Sequence, residues 1–303
     1  MRRRSFRLSS SGMPERGRGL GLVFAGGGNR AFYQLGLMRA WDDLWSRASA
    51  VAACSAGACV VAMLLSGRAE ATADFWKRRR AHVTRNINWL HPLVGKPLAP
   101  HAPIYRDTVN FCLADGGFER IRSQPFPLLV LTSRLPRGLP PAAAAVLGLA
   151  TYSLEKQFKR GLTHPTWGRQ LGFRPAAFDM RDCATAEDLA TLILASSATP
   201  PFTPLGRVAG QTVLDGGLVD NVPAFLLDDL PGVTRQAVLM SRPYPAEIVG
   251  RQGRRLYVAP LTPPPVSRWD YTRPDLVEAT IAQGEREASL HRPALDALLD
   301  ELC

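Results

Sequence analysis

Two stretches with the same organisation, LGLVFAGGGNR at residues 20–30 and SAVAACSAGA at residues 49–58, decide the fold of this chain. Each begins with a short run of small and apolar residues, which is typical of a buried strand. Each then passes through a turn of tiny residues into a helical pattern. The predicted elements are strands at 20–25 and 49–54 and helices at 30–47 and 57–65. Strand, turn and helix repeated in this way predict an α/β domain with parallel strands.

The rest of the sequence extends this pattern with weaker signals. PLLVLTS at residues 127–133 is a strong buried-strand pattern. Two weaker strands are predicted at 238–240 and 256–259. Helices are predicted at 70–82, 274–288 and 293–302, and another helix passes through residues 111–113. Residues 86–107 are rich in proline and are predicted to form a loop. No internal repeat or firm boundary interrupts residues 20–290, which we expect to form one domain.

Composition narrows the class of protein. Of the 303 residues, 46% are hydrophobic and 21% are charged, which is ordinary for a globular chain. No apolar run reaches the roughly 18 residues that a membrane-spanning helix needs. The five cysteines show no paired spacing, so the sequence predicts neither a disulfide framework nor a metal site. A reducing, cytoplasmic location fits this cysteine usage best.

The chain is strongly basic, with a formal net charge of +11. Such a charge favours polyanionic partners, either nucleic acid or the surface of an anionic membrane. Because no basic patch interleaved with aromatic residues occurs, we expect no nucleic-acid partner. Residues 1–19 are rich in Arg and Ser and lack the apolar core of a secretory signal, so they are expected to form a disordered basic tail. Peripheral contact with the inner membrane surface is compatible with this charge.

The segment 136–175 interrupts the α/β pattern. It contains an amphipathic helical pattern in which apolar residues recur every four positions, at Val146, Ala150, Leu154 and Phe158. The basic edge of this pattern consists of Lys156, Lys159 and Arg160. Two interpretations remain open: a helix packed on the sheet, or a lid or interfacial helix whose apolar face meets lipid. Residues 291–303 are expected to form a C-terminal helical tail.

The second turn places Ser55 where a strand ends and a helix begins. Such a turn is strained and exposes the side chain above the sheet, and it needs tiny neighbours because the backbone doubles back. Those neighbours are Ala53, Ala56 and Gly57. The helix that follows directs its positive N-terminal end at the serine. Ser55 is therefore a candidate nucleophile, although a turn without chemistry would show the same local pattern.

The first turn consists of Gly26, Gly27, Gly28, Asn29 and Arg30. Glycines before a helix leave N–H groups free to bind an anion, and Asn29 is a candidate N-cap. A dinucleotide loop would need a further glycine where Ala31 stands and an acidic residue at the end of the next strand. The sequence has neither, and it lacks the Walker pattern. An oxyanion hole beside Ser55 fits this turn better.

A third motif, Leu214-Asp215-Gly216-Gly217, is followed by Asn221 and Pro223 and preceded by ASSATPPF at residues 195–202. In this order, the motifs over residues 20–225 resemble the patatin-like phospholipase family. The resemblance implies a three-layer α/β/α sandwich with a mainly parallel central sheet. It also implies hydrolysis of lipid acyl esters by a Ser–Asp dyad, without histidine, metal or any other cofactor.

On this resemblance, Ser55 is the nucleophile, Asp215 is its partner and residues 26–30 are the oxyanion turn. Ala53 and Ala31 stand where the family has glycine, and each adds a methyl group in a tight place. We expect both to be tolerated, with a reduced activity as the alternative. A histidine of an ordinary triad would be His291, which follows Asp215 in the chain, but we do not expect it to act.

Three functions compete at this stage. The first is a bacterial serine acyl hydrolase of the phospholipase, lysophospholipase or lipase type. The second is a binding protein on the same fold with weak or no catalysis, which the two alanine replacements favour. The third is a nucleotide-binding enzyme that uses the glycine turn. The particular lipid and the oligomeric state are left open.

Overall fold

A mixed β-sheet runs through the centre of the computed structural model, which describes residues 19–159 and 163–302. The nine strands in these residues are β1 Leu20–Phe24, β2 Ala48–Cys54, β3 Leu128–Arg134, β4 Arg174–Asp179, β5 Gly206–Val208, β6 Gln211–Asp215, β7 Arg235–Leu239, β8 Gly250–Gln252 and β9 Arg255–Val258. Their order is β5-β6-β3-β2-β1-β7-β9-β8, and β4 pairs with β3. The five central strands are parallel, from β3 to β9 in this order. The other four strands pair antiparallel towards the edges.

Helices cover both faces of this sheet, so the predicted three-layer α/β/α sandwich is confirmed. The α-helices of the described residues are α1 Phe32–Ala40, α2 Leu44–Arg47, α3 Ala56–Leu65, α4 Ala69–Arg80, α5 His101–Leu113, α6 Gly117–Arg122, α7 Pro141–Phe158, α8 Trp167–Gln170, α9 Ala186–Ser196 and α10 Asp275–Leu299. Among these helices, none has the length and hydropathy that a bilayer-spanning segment requires.

Strand β1 shows why the central strands consist of unbroken runs of apolar residues. Leu22 and Phe24 point into one hydrophobic cluster, which contains α1, α3 and α10. Val23 and Ala25 point into a second cluster on the opposite face. Because successive side chains alternate between faces that are both covered, every position of such a strand is apolar.

Strand β3 brings the ends of β2 and β6 together. Cys54, the last residue of β2, pairs with Leu131. Asp215, the last residue of β6, pairs with Thr132, the next residue of the same strand. Residues that are far apart in the sequence therefore meet at one point of the sheet.

The first and last helices differ from their predictions. The helix predicted over 30–47 is interrupted by a turn at 41–43. The predicted terminal pair is one helix, α10, which continues through Pro293. Helices α1 and α10 cross at two glycines, where their backbones approach closely. A Cβ on Gly36 would lie 2.0 Å from the backbone oxygen of Ile281, and a Cβ on Gly284 would lie 2.2 Å from the backbone oxygen of Tyr33. The expected boundary at 290 falls inside α10.

The predicted loop 86–107 already contains the start of α5 at His101, because Pro103 lies in the first turn of the helix, where proline is tolerated. Residues 1–18 of the predicted basic tail and Arg160 of the predicted basic edge lie outside the described residues.

Helix α7 confirms the predicted amphipathic helix but turns its apolar stripe outwards. It packs against the protein through small residues, Ala144, Ala145 and Gly148. A Cβ on Gly148 would lie 2.8 Å from the ring of Phe173, so only glycine allows this approach. The side chains of Val146 and Phe158 are 71% and 74% exposed.

Candidate active site

Ser55 occupies a strained turn between β2 and α3. Its backbone has a φ of +53° and a ψ of −129°, a conformation that residues with a side chain rarely adopt. The N–H of Ser55 donates to Ser196 Oγ at 2.8 Å, which holds the turn in place. Gly57 makes the turn possible, because a Cβ there would lie 2.5 Å from the backbone oxygen of Phe24. Ser55 is nevertheless only 5% exposed, so the hydroxyl lies in a buried recess.

Asp215 lies at the end of β6 with its carboxylate directed at Ser55. Ser55 Oγ donates to Asp215 Oδ2 at 2.9 Å. The N–H of Gly217 donates to Asp215 Oδ1 at 2.7 Å, which fixes the orientation of the carboxylate. Gly216 must be glycine, since a Cβ would lie 2.4 Å from the backbone oxygen of Leu131. The two predicted reactive residues are thus in hydrogen-bond contact.

The surroundings of Asp215 make its carboxylate more basic than usual. Burial raises the pKa of Asp215, while the positive charge of Arg268 and the hydrogen bonds from Gly217 and Ser55 oppose this rise. Burial has the larger effect because an apolar environment disfavours the charged form. A carboxylate with a raised pKa accepts a proton from a hydroxyl more readily.

The glycine turn lies on the other side of Ser55. A Cβ on Gly26 would lie 3.2 Å from the Cβ of Ser55 and 2.6 Å from Asn221 Oδ1, so the turn packs directly on the serine. The N–H of Gly26 donates to the backbone oxygen of Asn221 at 3.0 Å. The N–H groups of Gly27 and Gly28 donate to no protein acceptor within the described residues. These are the N–H groups that an oxyanion could bind.

Asn29 differs from its prediction in two respects. Its N–H donates to the backbone oxygen of Arg268 at 3.1 Å, so it is not available to an oxyanion. Its side-chain amide donates to the backbone oxygen of Asp270 at 2.7 Å, and it makes no N-cap hydrogen bond. Asn29 therefore ties the glycine turn to the segment 268–270. Arg30 is partly buried beside Arg268 and Arg242.

A protein-family model described as patatin-like phospholipase matches residues 22–228, which is more than half of the chain. The chain belongs to the patatin-like phospholipase family. Members of this family are lipid acyl hydrolases. No curated protein sequence matches the chain at a significant level. Among solved structures, VipD from Legionella pneumophila is similar at 13% sequence identity and a TM-score of 0.44, over 95% of this chain and 67% of that chain.

Three further residues of this patatin-like site are placed there only by the fold. Ser197 Oγ lies 3.4 Å from Ser55 Oγ, and the hydroxyl of Tyr105 lies 3.2 Å from Ser197 Oγ. Arg268 lies beside Asp215 although it follows the matched region. The ASSATPPF pattern marks the serines of residues 195–202, but only the fold shows that they contact Ser55.

Two recesses meet at the Ser–Asp pair of this patatin-like domain. The first is a narrow cavity of about 40 Å³ beside Ser55 and Gly28. Its walls are mainly apolar and include Phe32, Val60, Met63, Trp76 and Tyr105. The second is a cleft of about 460 Å³ between Asp215 and α7, and it is lined by Val146, Leu149 and Ala150 of that helix. Arg268 and Trp269 line both recesses and therefore connect them.

The histidines of the chain contact neither reactive residue within the described part of the structure. His291 of α10 has its Nε2 3.4 Å from the hydroxyl of Tyr33 on α1. His101 lines the narrow cavity, where its Nδ1 bonds to the hydroxyl of Tyr271. The described residues also contain no cluster of three side chains suited to a metal ion.

The two alanines that depart from the family pattern are both buried. Ala53 is 1% exposed in β2, one residue before Cys54, and Ala31 is 2% exposed at the end of the glycine turn. Ala56 begins α3 directly after Ser55. Both extra methyl groups therefore lie inside the packed site.

Proposed function

We propose that this chain is a serine carboxylic ester hydrolase that cleaves acyl chains from lipids through Ser55 and Asp215. The observation that carries the proposal is the hydrogen bond from Ser55 Oγ to Asp215 Oδ2 at 2.9 Å, made on a strained turn. Side chains held in this way form the nucleophile and general base of many acyl hydrolases. The substrate would be a phospholipid, a lysophospholipid or a neutral glyceride.

The reaction follows from the positions of these groups. Asp215 accepts the proton of Ser55 as the oxygen attacks the ester carbonyl carbon. The N–H groups of Gly27 and Gly28 bind the oxyanion that forms. The tetrahedral intermediate then collapses to an acyl-enzyme, and Asp215 returns the proton to the departing alcohol. Water, activated by the same carboxylate, releases the fatty acid and restores Ser55.

The two recesses suit the two parts of a lipid ester. The apolar walls of the narrow cavity favour the first methylenes of the acyl chain, because burial of each methylene contributes about 0.8 kcal/mol. The wider cleft beneath α7 is also mainly apolar, but it contains Asp215 and Arg268, and we assign the alcohol part of the ester to it. The carbonyl would then lie between them, at Ser55.

A lipid panel tests this proposal. Wild-type protein and Ser55→Ala are incubated with phospholipid, lysophospholipid, monoglyceride and short-chain esters, and released fatty acid is quantified. We expect release by the wild type and at least a thousandfold lower rate for Ser55→Ala with an unchanged unfolding curve. Equal release by both proteins, or none by the wild type from any ester, would contradict the proposal.

We also propose that α7 contacts lipid surfaces while the site acts, as a lid or interfacial helix. Its outward stripe is apolar, with Val146 71%, Leu154 48% and Phe158 74% exposed. Ala150, between them, lines the cleft that contains Asp215. Such a stripe beside basic residues is typical of helices that lie in a membrane interface. The inner membrane surface in the cytoplasm stays the predicted location.

Flotation with vesicles tests this contact. Phe158→Ser should reduce binding to phosphatidylglycerol vesicles about tenfold. Leu290→Ser, which changes a side chain 65% exposed on α10, is the matched control and should leave binding unaltered. Equal binding by the two variants would contradict a role for α7.

A further inference from the structure

A further cavity lies next to the narrow one and takes no part in the reaction described above. It has a volume of about 220 Å³ and mainly apolar walls, and its lining includes Ile87, Ala99 and Phe202. We call it the distal cavity. The narrow cavity beside Ser55, at about 40 Å³, has less than a fifth of this volume.

Three aromatic side chains lie between these two cavities. His101, Trp269 and Tyr271 line both of them, and we call these residues the aromatic wall. The ring centroid of His101 lies 5.2 Å from that of Trp269 and 5.0 Å from that of Tyr271. The ring planes meet at 77° and 87°, so His101 packs edge to face against both partners. The wall therefore closes the narrow cavity on the side of the distal one.

His101 is the part of the wall with the least support. Tyr271 is held from two sides, because its N–H donates to Asn86 Oδ1 at 2.7 Å and the guanidinium of Arg80 lies 5.0 Å from its ring centroid. His101 bonds to the hydroxyl of Tyr271 through Nδ1, whereas its Nε2 is buried without a hydrogen-bond partner among the described residues. His101 is also the first residue of α5. Its side chain can therefore be shortened without removing a contact inside a helix.

The volume of the narrow cavity limits how much of an acyl chain it can hold. One group of the size of a water molecule or a methylene needs roughly 10–15 Å³ of such space, so about 40 Å³ holds about three of these groups. With the carbonyl carbon at Ser55, this corresponds to an acyl chain of about four carbons. A longer acyl chain would meet the aromatic wall.

We propose that the distal cavity is an extension of the acyl site that the aromatic wall closes, so that this protein prefers esters of short acyl chains to esters of long ones. The inference rests on the proposed acyl hydrolase function and adds the length of the acyl chain to it. The apolar walls of the distal cavity suit the far end of a long acyl chain, because burial of each further methylene should raise kcat/KM about fourfold. His101 then determines which chain lengths reach this space.

Two esters with the same alcohol part test the preference. Para-nitrophenyl butanoate and para-nitrophenyl octanoate are used below their aggregation limits, and release of nitrophenolate gives kcat and KM for each. The wild type should show a kcat/KM at least tenfold higher for the butanoate. Equal values, or a higher value for the octanoate, would overturn the proposal.

Variants of His101 test the wall itself. His101→Ala should raise the kcat/KM of the octanoate relative to that of the butanoate at least thirtyfold, which corresponds to about two or three additional buried methylenes. His101→Gln fills nearly the same space, so it is the matched control and should keep the wild-type ratio. Equal ratios for His101→Ala and His101→Gln would overturn the role of His101.

Phe202 tests the route by which the acyl chain reaches the distal cavity. It lines the distal cavity and the wider cleft, whereas His101 lines the distal cavity and the narrow one. Phe202→Ala should therefore leave the ratio of the two esters within threefold of the wild type. A gain for the octanoate as large as that of His101→Ala would show entry through the cleft and would overturn the assignment of the wall.

Ile87 tests the distal cavity as the destination of the chain. Ile87→Trp places a larger side chain in this cavity, so adding it to His101→Ala should abolish the gain for the octanoate. A gain that persists in the double variant would overturn the proposal. In the wild-type background, Ile87→Trp leaves the wall intact and should change neither ester. A selective loss of octanoate turnover there would show that the wall is already open and would overturn it as a limit.

Binding of the product separates this proposal from the proposed function. Hydrolysis of neither ester by the wild type would contradict the acyl hydrolase function. Calorimetric titration with octanoate would then still test the wall, because the open distal cavity should hold the chain of this fatty acid. His101→Ala should bind octanoate at least tenfold more tightly than the wild type, and equal affinities would overturn the proposal.

Discussion

Replacing Asp215 by Asn changes the proposed chemistry with little change of shape. The amide oxygen can still accept the N–H of Gly217, which in the wild type donates to Oδ1 at 2.7 Å. The amide nitrogen then takes the position of Oδ2, 2.9 Å from Ser55 Oγ. An amide nitrogen donates hydrogen bonds and accepts none, so the proton of Ser55 loses its acceptor.

The size of the effect follows from the role of the lost base. General base catalysis contributes about 10²–10⁴ to a rate, and we expect kcat to fall about 10³-fold, which corresponds to about 4 kcal/mol. Stability should not fall with it. The pKa of Asp215 is higher in the folded protein than in the unfolded chain. The protonated group therefore stabilises the fold at a pH below its unfolded-state pKa, and this contribution is lost as the pH rises through its folded-state pKa. The Asp215→Asn protein avoids this loss, and its free energy of unfolding at pH 7 should be equal to that of the wild type or higher.

Ester turnover and urea unfolding are measured for Asp215→Asn and for Asp220→Asn. Asp220 is also buried, but it pairs with His164 at 2.9 Å and has no described contact with Ser55. The control should keep kcat within about fivefold of the wild type. A kcat for Asp215→Asn within tenfold of the wild type would refute the role of Asp215 as the base.

Four further outcomes are expected. The free energy of unfolding of Gly57→Ala in urea should be about 2–3 kcal/mol lower than that of the wild type, because its Cβ would lie 2.5 Å from the backbone oxygen of Phe24. An unchanged free energy would contradict the tightness of the turn. Ala53→Gly restores the family glycine but removes a buried methyl group, so its free energy of unfolding should fall by about 1 kcal/mol. Its kcat should stay within twofold of the wild type, and a tenfold higher kcat would show that the methyl group limits activity. The kcat/KM of the wild type should rise with pH through a midpoint above the ordinary aspartate pKa of about 3.9, because Asp215 must be unprotonated, and a lower midpoint would contradict its burial. Burial lowers the pKa of His101 from 6.5 to about 4, so stability should fall by roughly 3 kcal/mol between pH 6.5 and pH 4, and His101→Gln should show a smaller fall.

The central part of the fold could be predicted because buried parallel strands leave a continuous apolar signal. Strands β1, β2 and β3 carry such runs and lie where the sequence predicts them. The edge strands β5 and β8 are three residues each, GRV and GRQ, and are too short for a periodicity. Their pairing depends on neighbours that are distant in sequence, so no local pattern predicts them.

The orientation of α7 could not be predicted because its spacing fits two arrangements. The apolar stripe through Val146 and Phe158 would suit a helix packed by large side chains. The structure instead buries the small face, since Gly148 allows close approach to Phe173. This choice depends on the shape of the partner surface, which local periodicity does not contain.

The contact between Ser55 and Asp215 could be predicted from motifs, whereas its surroundings could not. Ser55 and Asp215 lie in short patterns with constrained backbone, and such patterns are visible locally. Arg268 and Tyr105 reach the site from a loop and from α5, at positions without a motif. The motif assigns Asn29 to the oxyanion turn, but the fold uses it to hold the segment 268–270.

The central claim is that the hydroxyl of Ser55 is an activated nucleophile. Peptide mapping by mass spectrometry after reaction with a fluorophosphonate measures this directly. We expect one stoichiometric adduct on Ser55 of the wild type, at least a hundredfold slower labelling of Asp215→Asn and none of Ser55→Ala. An adduct on another serine, or an unlabelled wild type that still hydrolyses esters, would contradict this claim.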